Sequence, residues 1–254
     1  MPMRILLCND DGIFAPGIEK LYDSVCGFGE VHVVAPDAER SAAGHAITLA
    51  DPIKTERVDK CGKFFGYGIG GTPADCIKLA VRALMRDTPP DLILSGINRG
   101  SNTGISVIYS GTVSAATESV ILGIPAVAFS VCDFMNPNWE TGGRVAKEIT
   151  QKVIENPLPP GVLLNVNIPS VPYEELRGIK ITRMGRSRFI EKFYERIDPR
   201  GRTYYWLDGA LEVEDSGDDV DIHAVNAGYV SVTPIQLDLT AYAHLDAVGR
   251  IFSQ

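Results

Sequence analysis

Two adjacent carboxylates near the start of the chain have the residue types that metal-dependent chemistry needs. Asp10 and Asp11 directly follow the apolar run at residues 3–8, which is typical of a strand buried on both faces. Adjacent side chains on a strand point to opposite faces, so the two act together only on the turn that follows, where Gly12 lets the backbone bend. A bound cation relieves repulsion between neighbouring carboxylates. We therefore predict a metal site, although a polar turn that caps the next helix would use the same residues.

Two further predicted strands, at residues 31–35 and 91–95, also end in polar loops. Ligands of open α/β sheets bind at the carboxyl edge of the parallel strands, where these loops would meet the first one. Side chains with oxygen donors should converge there from the three loops, and such donors suit Mg2+ or Mn2+ better than zinc. The predicted metal ligands are Asp10, Asp11, Ser41 and Asn98.

The third of these loops, residues 95–104, is rich in glycine, asparagine and hydroxyl side chains. Ser110, Gly111 and Thr112 then open a predicted helix at residues 113–122. The backbone N–H groups of such loops and the dipole of a helix N-terminus attract anions, phosphate in particular. These segments therefore predict a phosphate site, and an ordinary surface loop is the alternative.

A metal beside bound phosphate would polarise a phosphoryl oxygen and activate water, which is the chemistry of a phosphatase. The chain lacks the G-x-x-x-x-G-K-[ST] motif of P-loop proteins and the G-x-S-x-G motif of serine hydrolases. Its two carboxylates are adjacent, whereas phosphatases with a nucleophilic aspartate normally separate them by one residue. His45 could line the site or transfer a proton, but a histidine in a plain loop is the simpler interpretation.

A dinucleotide-binding site is a competing hypothesis. Residues 66–71 match G-x-G-x-x-G and precede a predicted helix. The acidic residue that should end the following strand is absent, since Asp91 begins that strand and Ser95 ends it. A lone match to this pattern is weak evidence, so the phosphatase interpretation is preferred.

Strands and helices alternate along the first two thirds of the chain, as their apolar periodicity indicates. This alternation favours a doubly wound, Rossmann-like α/β fold, with a mostly parallel sheet and helices on both faces. Besides the strands already given, the sequence predicts strands at 125–131 and 162–168, helices at 16–26, 72–84, 113–122 and 138–155, and short β segments at 46–49, 53–58 and 63–69.

The C-terminal part departs from this alternation. It predicts a hairpin with strands at 191–197 and 202–207, a last strand at 229–234 and a terminal helix at 240–252. We expect one domain over residues 1–254, in which residues 180–254 include a hairpin and helix arm for oligomerisation, since this part has little core of its own. The acidic residues at 212–221 are expected to form a solvated loop because like charges repel.

Composition limits the partners that the chain can have. Its 254 residues carry a net charge of -8, which disfavours broad neutralisation of nucleic acid but allows a small phosphorylated substrate met by a metal. No apolar run approaches the roughly 20 residues that span a bilayer, and the N-terminus has no secretory signal pattern. We expect no membrane partner, no stable nucleic-acid binding and a cytoplasmic location. The five scattered cysteines are expected to be reduced and mostly buried.

Seven segments of the chain, taken together, resemble the SurE family (survival protein E). They occur in order between residue 4 and about residue 242, and the number of independent motifs makes the resemblance specific. The segments are NDDG at 9–12, APD at 35–37 with RS at 40–41, GTPADC at 71–76, SGINRG at 95–100, YSGT at 109–112, LNVNIP at 164–169 and GYVSVTP at 228–234.

The resemblance implies a metal-dependent phosphatase that hydrolyses nucleoside 5'- and 3'-monophosphates, with short polyphosphate as a further substrate of some members. It implies one divalent cation per subunit, Mg2+ or Mn2+, on the four ligands predicted above, with Asp10 and Asp11 as the catalytic residues. It also implies a homodimer or homotetramer in which the C-terminal hairpin and helix are exchanged between subunits. The substrate-binding residues that it implies are Asn9, Gly96, Asn98, Ser110, Gly111 and Thr112.

The mechanistic hypothesis is that Asp10 or Asp11 orients or deprotonates the attacking water, while backbone N–H groups near Asn98 and Ser110 stabilise the phosphoryl oxygens. A nucleotide-binding or regulatory protein that keeps the fold without turnover is the competing hypothesis. Aromatic side chains near the site could stack on a base, but the sequence does not place them.

Overall fold

The apolar run at the start of the chain forms the central strand of the sheet. In the computed structural model, which describes residues 2–253, β1 (Met3–Cys8) lies between β2 (Gly29–Pro36) and a later parallel strand at Leu92–Arg99. Residues 5–8 are completely buried. Since alternate side chains of a strand point to opposite faces, a strand that is apolar at every position is covered on both sides.

Nine strands form the main sheet, and two more form a separate hairpin. After β1 and β2, the strands are β3 (Thr55–Lys60), β4 (Lys63–Ile69), β5 (Leu92–Arg99), β6 (Ala126–Val131), β7 (Val162–Ile168), β8 (Ile179–Ile181), β9 (Ser187–Ile197), β10 (Thr203–Val213) and β11 (Val230–Gln236). The order in the main sheet is β3-β4-β2-β1-β5-β6-β7-β11-β8. Its pairs are parallel apart from β3 with β4 and β7 with β11.

Helices cover both faces of the main sheet. They are α1 (Pro16–Val25), α2 (Pro73–Leu79), α3 (Ser106–Tyr109), α4 (Gly111–Ile121), α5 (Trp139–Glu155), α6 (Asp221–Asn226) and α7 (Leu245–Phe252). The apolar sides of α1 and α5 pack on one face of the sheet. Those of α2 and α4 pack on the other. The doubly wound α/β prediction is therefore confirmed.

Local signals in the sequence account for where helices begin. At the start of α2, the Thr72 hydroxyl accepts a hydrogen bond from the Asp75 N–H at 3.1 Å, and the Asp75 carboxylate accepts one from the Thr72 N–H at 2.9 Å. This reciprocal capping satisfies donors that a helix start leaves free, with Pro73 in the first turn. The predicted helix then continues as a π-helical turn, Ala80–Leu84.

Two predictions for secondary structure and one for solvation were wrong in detail. Residues 46–49 are irregular rather than a β segment. The hairpin strands β9 and β10 are each 11 residues long and extend well beyond the predicted ends. The acidic residues at 212–221 are not all solvated, because Asp221 is completely buried at the start of α6 and Asp215 pairs with two arginines, Arg183 at 2.6 Å and Arg186 at 3.0 Å.

The C-terminal arm consists of the hairpin β9–β10 and the helix α7, which are present as predicted, and its role in oligomerisation stays a prediction. The two strands pair with each other in a sheet of their own. None of the side chains of α7 is buried. The large apolar side chains that the arm exposes are Phe189, Ile190, Phe193, Ile197, Tyr204, Tyr205, Trp206, Leu207, Leu245, Val248, Ile251 and Phe252.

Two further predictions concern membrane-spanning segments and the cysteines. None of the helices in residues 2–253 combines the length and apolar character that crossing a membrane requires. All five cysteines have free thiols, as expected. Only Cys8 and Cys76 are buried, however, whereas Cys26 and Cys61 are exposed, so the expectation of mostly buried cysteines was wrong.

Candidate active site

The turn after β1 holds the two adjacent carboxylates in place. The Asn9 side chain is buried and closes this turn, since its amide donates to the Gly12 carbonyl at 3.0 Å and its oxygen accepts from the Gly12 N–H at 3.2 Å. Gly12 has φ +99°, a conformation that favours glycine. Asn9 therefore shapes the turn that presents Asp10 and Asp11, and its predicted contact with substrate stays a prediction.

Asp10 lies against the start of α4. It is 5% exposed, and the Thr112 hydroxyl donates a hydrogen bond to its Oδ1. A Cβ at Gly111 would lie 2.6 Å from the Cβ of Asp10, so only glycine permits this approach. Burial raises the pKa of Asp10, and the Thr112 hydrogen bond offsets only part of that rise.

Asp11 is less buried than Asp10, and the negative charge of Asp10 acts on its carboxylate. Its side chain is 10% exposed, and the Nε of Arg99 lies 3.8 Å from its Oδ1. Burial, followed by the negative charge of Asp10, raises the pKa of Asp11 to about 6, and Arg99 only partly opposes this rise. The turn thus contains two neighbouring carboxylates whose negative charge the surrounding protein does not fully compensate.

This environment fits a hard divalent cation. The pKa of both carboxylates is raised, so a positive charge between or beside them would stabilise their ionised forms. Carboxylate, hydroxyl and amide oxygens are the donors that Mg2+ and Mn2+ accept. No group of three or more His, Cys, Asp or Glu side chains in residues 2–253 is arranged to hold a metal, but the predicted set contains only two such residues.

The structure brings the loop of Ser41 to the carboxylates, although the hydroxyl itself has another partner. The Arg40 N–H donates to the Asp10 carbonyl at 2.8 Å, which fixes this loop beside the turn. Ser41 is exposed, and its Oγ donates to the Glu39 carboxylate at 2.7 Å. To coordinate a metal bound by Asp10 and Asp11, the Ser41 hydroxyl would have to give up its hydrogen bond to Glu39.

Gly96 and Asn98 lie at the end of β5, next to β1 in the sheet. Gly96 is buried at a register irregularity between β5 and β6, which lies between Ser95 and Asn98. Asn98 is half-buried, and its Nδ2 donates to the Gly100 carbonyl at 2.9 Å. This bond leaves the Oδ1 of Asn98 as the acceptor that a cation or a substrate hydroxyl can use.

The loop between Asn98 and Ser110 is fixed from two sides. Asn167 on β7 accepts from the Asn102 N–H at 2.8 Å. The buried carboxylate of Asp221 accepts from the Gly104 N–H at 2.8 Å, and the Ser187 hydroxyl at the start of β9 accepts from the Ile105 N–H at 3.0 Å. The loop is therefore anchored both to the sheet and to the base of the C-terminal arm.

The predicted phosphate residues at 110–112 form the N-terminus of α4. The Ser110 hydroxyl accepts from the Val113 N–H at 3.1 Å and so caps the helix. The first N–H groups of a helix have no partner within the helix, and the helix dipole favours an anion there. Since Gly111 and Thr112 also contact Asp10, the helix N-terminus and the carboxylate turn belong to one site.

A cavity of about 480 Å³ opens beside Asp11. Its walls come from the turn after β1, the loop after β2, Arg99 and the segment before α5. The side chains that line it include Asp11, Phe14, Asp37, Glu39, Arg99, Phe134 and Trp139. The guanidinium of Arg99 lies 4.6 Å above the Phe134 ring and 3.2 Å from Glu39, so it joins the carboxylate turn to the aromatic wall.

Sequence reasoning missed several residues of this cavity. Arg99 is adjacent to the predicted Asn98, so its place in the loop was a signal that could have found it. Phe14 comes from the turn after β1, whereas Phe134 and Trp139 come from the connection between β6 and α5 and its first helical residue, and no motif in the sequence relates these two segments. His45 does not line the cavity, since its Nε2 lies 2.8 Å from the carboxylate of Glu118 on α4.

The dinucleotide-binding hypothesis is not supported by the local structure. Gly66 and Gly68 lie within the strand β4 rather than in a turn between a strand and a helix. The glycine pattern therefore does not have the strand, turn and helix arrangement that the dinucleotide fingerprint requires.

Comparison with known proteins places the chain in a family. The family model described as Survival protein SurE matches residues 5–191. A 5'-nucleotidase SurE from Syntrophobacter fumaroxidans is 47% identical over 248 residues, which cover 98% of this chain and 99% of the relative. One from Petrotoga mobilis is 47% identical over 244 residues, covering 96% and 97%.

A solved structure gives the same result. The crystal structure of the SurE protein from Aquifex aeolicus superposes with a TM-score of 0.85 at 42% identity, covering 98% of this chain and 100% of that protein. The agreement in sequence and in fold extends over nearly the whole chain, and the chain therefore belongs to the SurE family.

Proposed function

We propose that this protein is a 5'-nucleotidase that hydrolyses nucleoside monophosphates to nucleoside and phosphate. The observation that carries the proposal is the incompletely compensated pair Asp10 and Asp11, which lies beside the N-terminus of α4 and opens onto a cavity. A cation site, an anion site and room for a ligand are thus adjacent. The similar proteins from Syntrophobacter fumaroxidans and Petrotoga mobilis are named 5'-nucleotidases.

We further propose that one divalent cation per subunit, Mg2+ or Mn2+, is held by Asp10, Asp11 and Asn98, with Ser41 as the fourth ligand. When bound, the ion would supply positive charge that neutralises phosphoryl oxygens and makes water more acidic. Ser41 would take part after its hydroxyl leaves Glu39, to which it now donates a hydrogen bond. The fit of an oxygen-only donor set to a hard cation supports this assignment.

The residues of the chain then have separate tasks in the proposed reaction. The N–H groups of Gly111 and Thr112 at the start of α4 bind phosphoryl oxygens, and the end of β5 at Gly96 and Asn98 closes the other side. A carboxylate oxygen of Asp10 or Asp11 accepts the proton of the attacking water. The guanidinium of Arg99, 3.8 Å from Asp11, can pair with a phosphoryl oxygen.

Nucleoside 3'-monophosphates and short polyphosphate are proposed as further substrates on the strength of the family resemblance. Both present a terminal phosphate that could occupy the same anion site. A cytoplasmic location is proposed likewise.

A phosphate-release assay tests the reaction class. Protein stripped with EDTA is supplied with Mg2+ or Mn2+ and incubated with nucleoside 5'- and 3'-monophosphates and tripolyphosphate. We expect release from the 5'-monophosphates that vanishes on stripping and returns with metal. Folded protein that releases no phosphate with either ion would instead support a nucleotide-binding protein without turnover.

The proposed partner of the C-terminal arm is a second copy of this chain. The hairpin β9–β10 and α7 expose a dozen large apolar side chains, among them Phe193 and Trp206, which are 65% and 64% exposed. Exposed apolar surface of this extent is typical of an interaction site. We expect light scattering to report the molar mass of a dimer or tetramer. The double substitution Phe193→Asp and Trp206→Asp should lower that mass towards the value of the monomer. A wild-type monomer at micromolar concentration would contradict the assignment.

A further inference from the structure

We infer that the cavity beside Asp11 is a nucleobase subsite in which Phe14, Phe134 and Trp139 form the stacking surfaces. This inference rests on the proposed function, because it names what holds the part of the substrate that does not react. The evidence is the position of the cavity, its aromatic walls and the charges at its rim.

The cavity begins where the proposed phosphate site ends. Asp11 belongs to both, since it is one of the paired carboxylates and also lines the cavity wall. Arg99 spans the two regions, with its Nε 3.8 Å from Asp11 and its guanidinium carbon 4.6 Å from the centre of the Phe134 ring. A group joined to the phosphate by a sugar would therefore be directed along Arg99 towards Phe134.

The walls of the cavity are aromatic and accessible. Phe14 is 66% exposed and Phe134 is 59% exposed, so both rings are open to a ligand. They come from different loops, the first after β1 and the second after β6, and Trp139 at the start of α5 completes the wall. Every nucleobase offers a flat π face, so aromatic surfaces of this kind bind bases with little regard to sequence.

The rim of the cavity favours a base over other flat or apolar groups. Asp37 and Glu39 line it with carboxylate oxygens, which accept hydrogen bonds from the amino and ring N–H groups of bases. Each of these carboxylates also pairs with an arginine, Asp37 with Arg40 at 3.4 Å and Glu39 with Arg99 at 3.2 Å, and a carboxylate has further acceptor positions beyond one such pair. A cavity of about 480 Å³ also lies within the range of small-ligand sites.

The first test compares a substrate that has a base with one that does not. We expect Phe134→Ala and Phe14→Ala each to lower the ratio of kcat/KM for AMP to that for ribose 5-phosphate by about 5- to 150-fold, as loss of one stacking aromatic does. The matched control is Phe64→Ala, which removes a 44% exposed phenylalanine on β4 outside the cavity and should leave the ratio unchanged. An unchanged ratio in both cavity variants would overturn the inference.

A second test does not depend on turnover, so it separates failure of the subsite from failure of the proposed reaction. Trp139 lines the cavity and the other tryptophan, Trp206, lies on the arm, so Trp206→Phe leaves one fluorescent reporter at the site. Adenosine, which has no phosphate, is expected to quench Trp139 fluorescence in this background, and Phe134→Ala is expected to weaken the binding at least five-fold. Absence of saturable quenching, or equal quenching in the Phe134→Ala variant, would overturn the subsite even if AMP is hydrolysed.

Discussion

The buried carboxylates of two regions of this molecule have different surroundings. On the face of the sheet covered by α2 and α4, the side chain of Glu118 is 2% exposed and lies 2.8 Å from His45 and 2.6 Å from Lys78. Burial alone would raise the pKa of Glu118, but the hydrogen bonds from His45 and Lys78 outweigh it and lower the pKa. Asp75 behaves in the same way, since its carboxylate accepts from the N–H and the hydroxyl of Thr48 and from the N–H of Thr72.

The pair at the end of β1 has no comparable compensation. Thr112 donates to Asp10 and Arg99 approaches Asp11, yet the pKa of both carboxylates remains raised. The chain thus provides full sets of donors where a carboxylate supports the fold, and leaves two adjacent ones short of positive charge at an open edge. The difference indicates that the pair is completed by something outside the chain, which we propose to be a divalent cation.

The largest expected effect comes from removing either charge of the pair. Asp10→Asn and Asp11→Asn are each expected to lower kcat for nucleoside 5'-monophosphates by about 10²–10⁴-fold, because a proton acceptor and a proposed metal ligand are lost. Circular dichroism and the unfolding midpoint should show an intact fold. Near-normal turnover in both variants would remove the basis for distinguishing the pair from the structural carboxylates.

The compensated carboxylate should show the opposite pattern. Glu118→Gln keeps the volume but loses the charged hydrogen bonds to His45 and Lys78, so the free energy of unfolding is expected to fall by about 1.5–3 kcal/mol. Turnover per folded molecule should stay within two-fold of wild type. Denaturant titration and kinetic assays on the same samples measure stability and turnover. A large loss of kcat without loss of stability would contradict the assignment of Glu118 as a carboxylate that supports the fold.

In the absence of metal, the two regions should respond to neutralisation with opposite signs. Asp11→Asn in EDTA at pH 8 is expected to raise the free energy of unfolding by about 1–3 kcal/mol, the order set by a pKa displaced from 3.8 to about 6. The cause is removal of a charge that burial and Asp10 both disfavour. Denaturant titration of wild type and Asp11→Asn under the same conditions gives the sign of the change in the free energy of unfolding. A less stable Asp11→Asn variant would contradict this prediction.

The smallest effect is the pH dependence of the Glu118 contribution. Because the pKa of Glu118 is lowered in the folded protein, its stabilisation is present above the pKa of the unfolded chain, near 4.3, and is lost as pH falls through the folded value. The stability difference between wild type and Glu118→Gln should therefore be full near pH 5 and shrink towards pH 3. If the stability difference between the two proteins grew as the pH fell from 5 to 3, Lys78 and His45 would not be stabilising the ionised carboxylate.

Much of the fold could be predicted because the decisive signals are local. The run at residues 5–8 is apolar at every position, so it had to be covered on both faces, and Thr72, Pro73 and Asp75 give the start of α2. That the turns after β1, β2 and β5 meet also followed, since strand ends of a parallel sheet share one edge, whereas the position of the start of α4 beside them was implied by the family resemblance. The contact between Thr112 and Asp10 is the structural outcome.

Other features depend on contacts between distant parts of the chain. The contact of the Arg99 guanidinium with the Phe134 ring has no signature in spacing or composition. The burial of Asp221 within an acidic segment is set by the N–H groups of Gly104 and Gly185, which only the folded chain brings to it. Such side chains become predictable only when the backbone positions are known.

Binding of Mn2+ tests the central claim most directly. Metal-free wild type, Asp11→Asn and Glu118→Gln would be titrated with Mn2+ and free ion followed by electron paramagnetic resonance. We predict one bound ion per subunit for wild type and for Glu118→Gln, and none for Asp11→Asn at the same concentrations. Equal binding by wild type and Asp11→Asn, or no binding by wild type, would contradict the assignment of the carboxylate pair as a cation site.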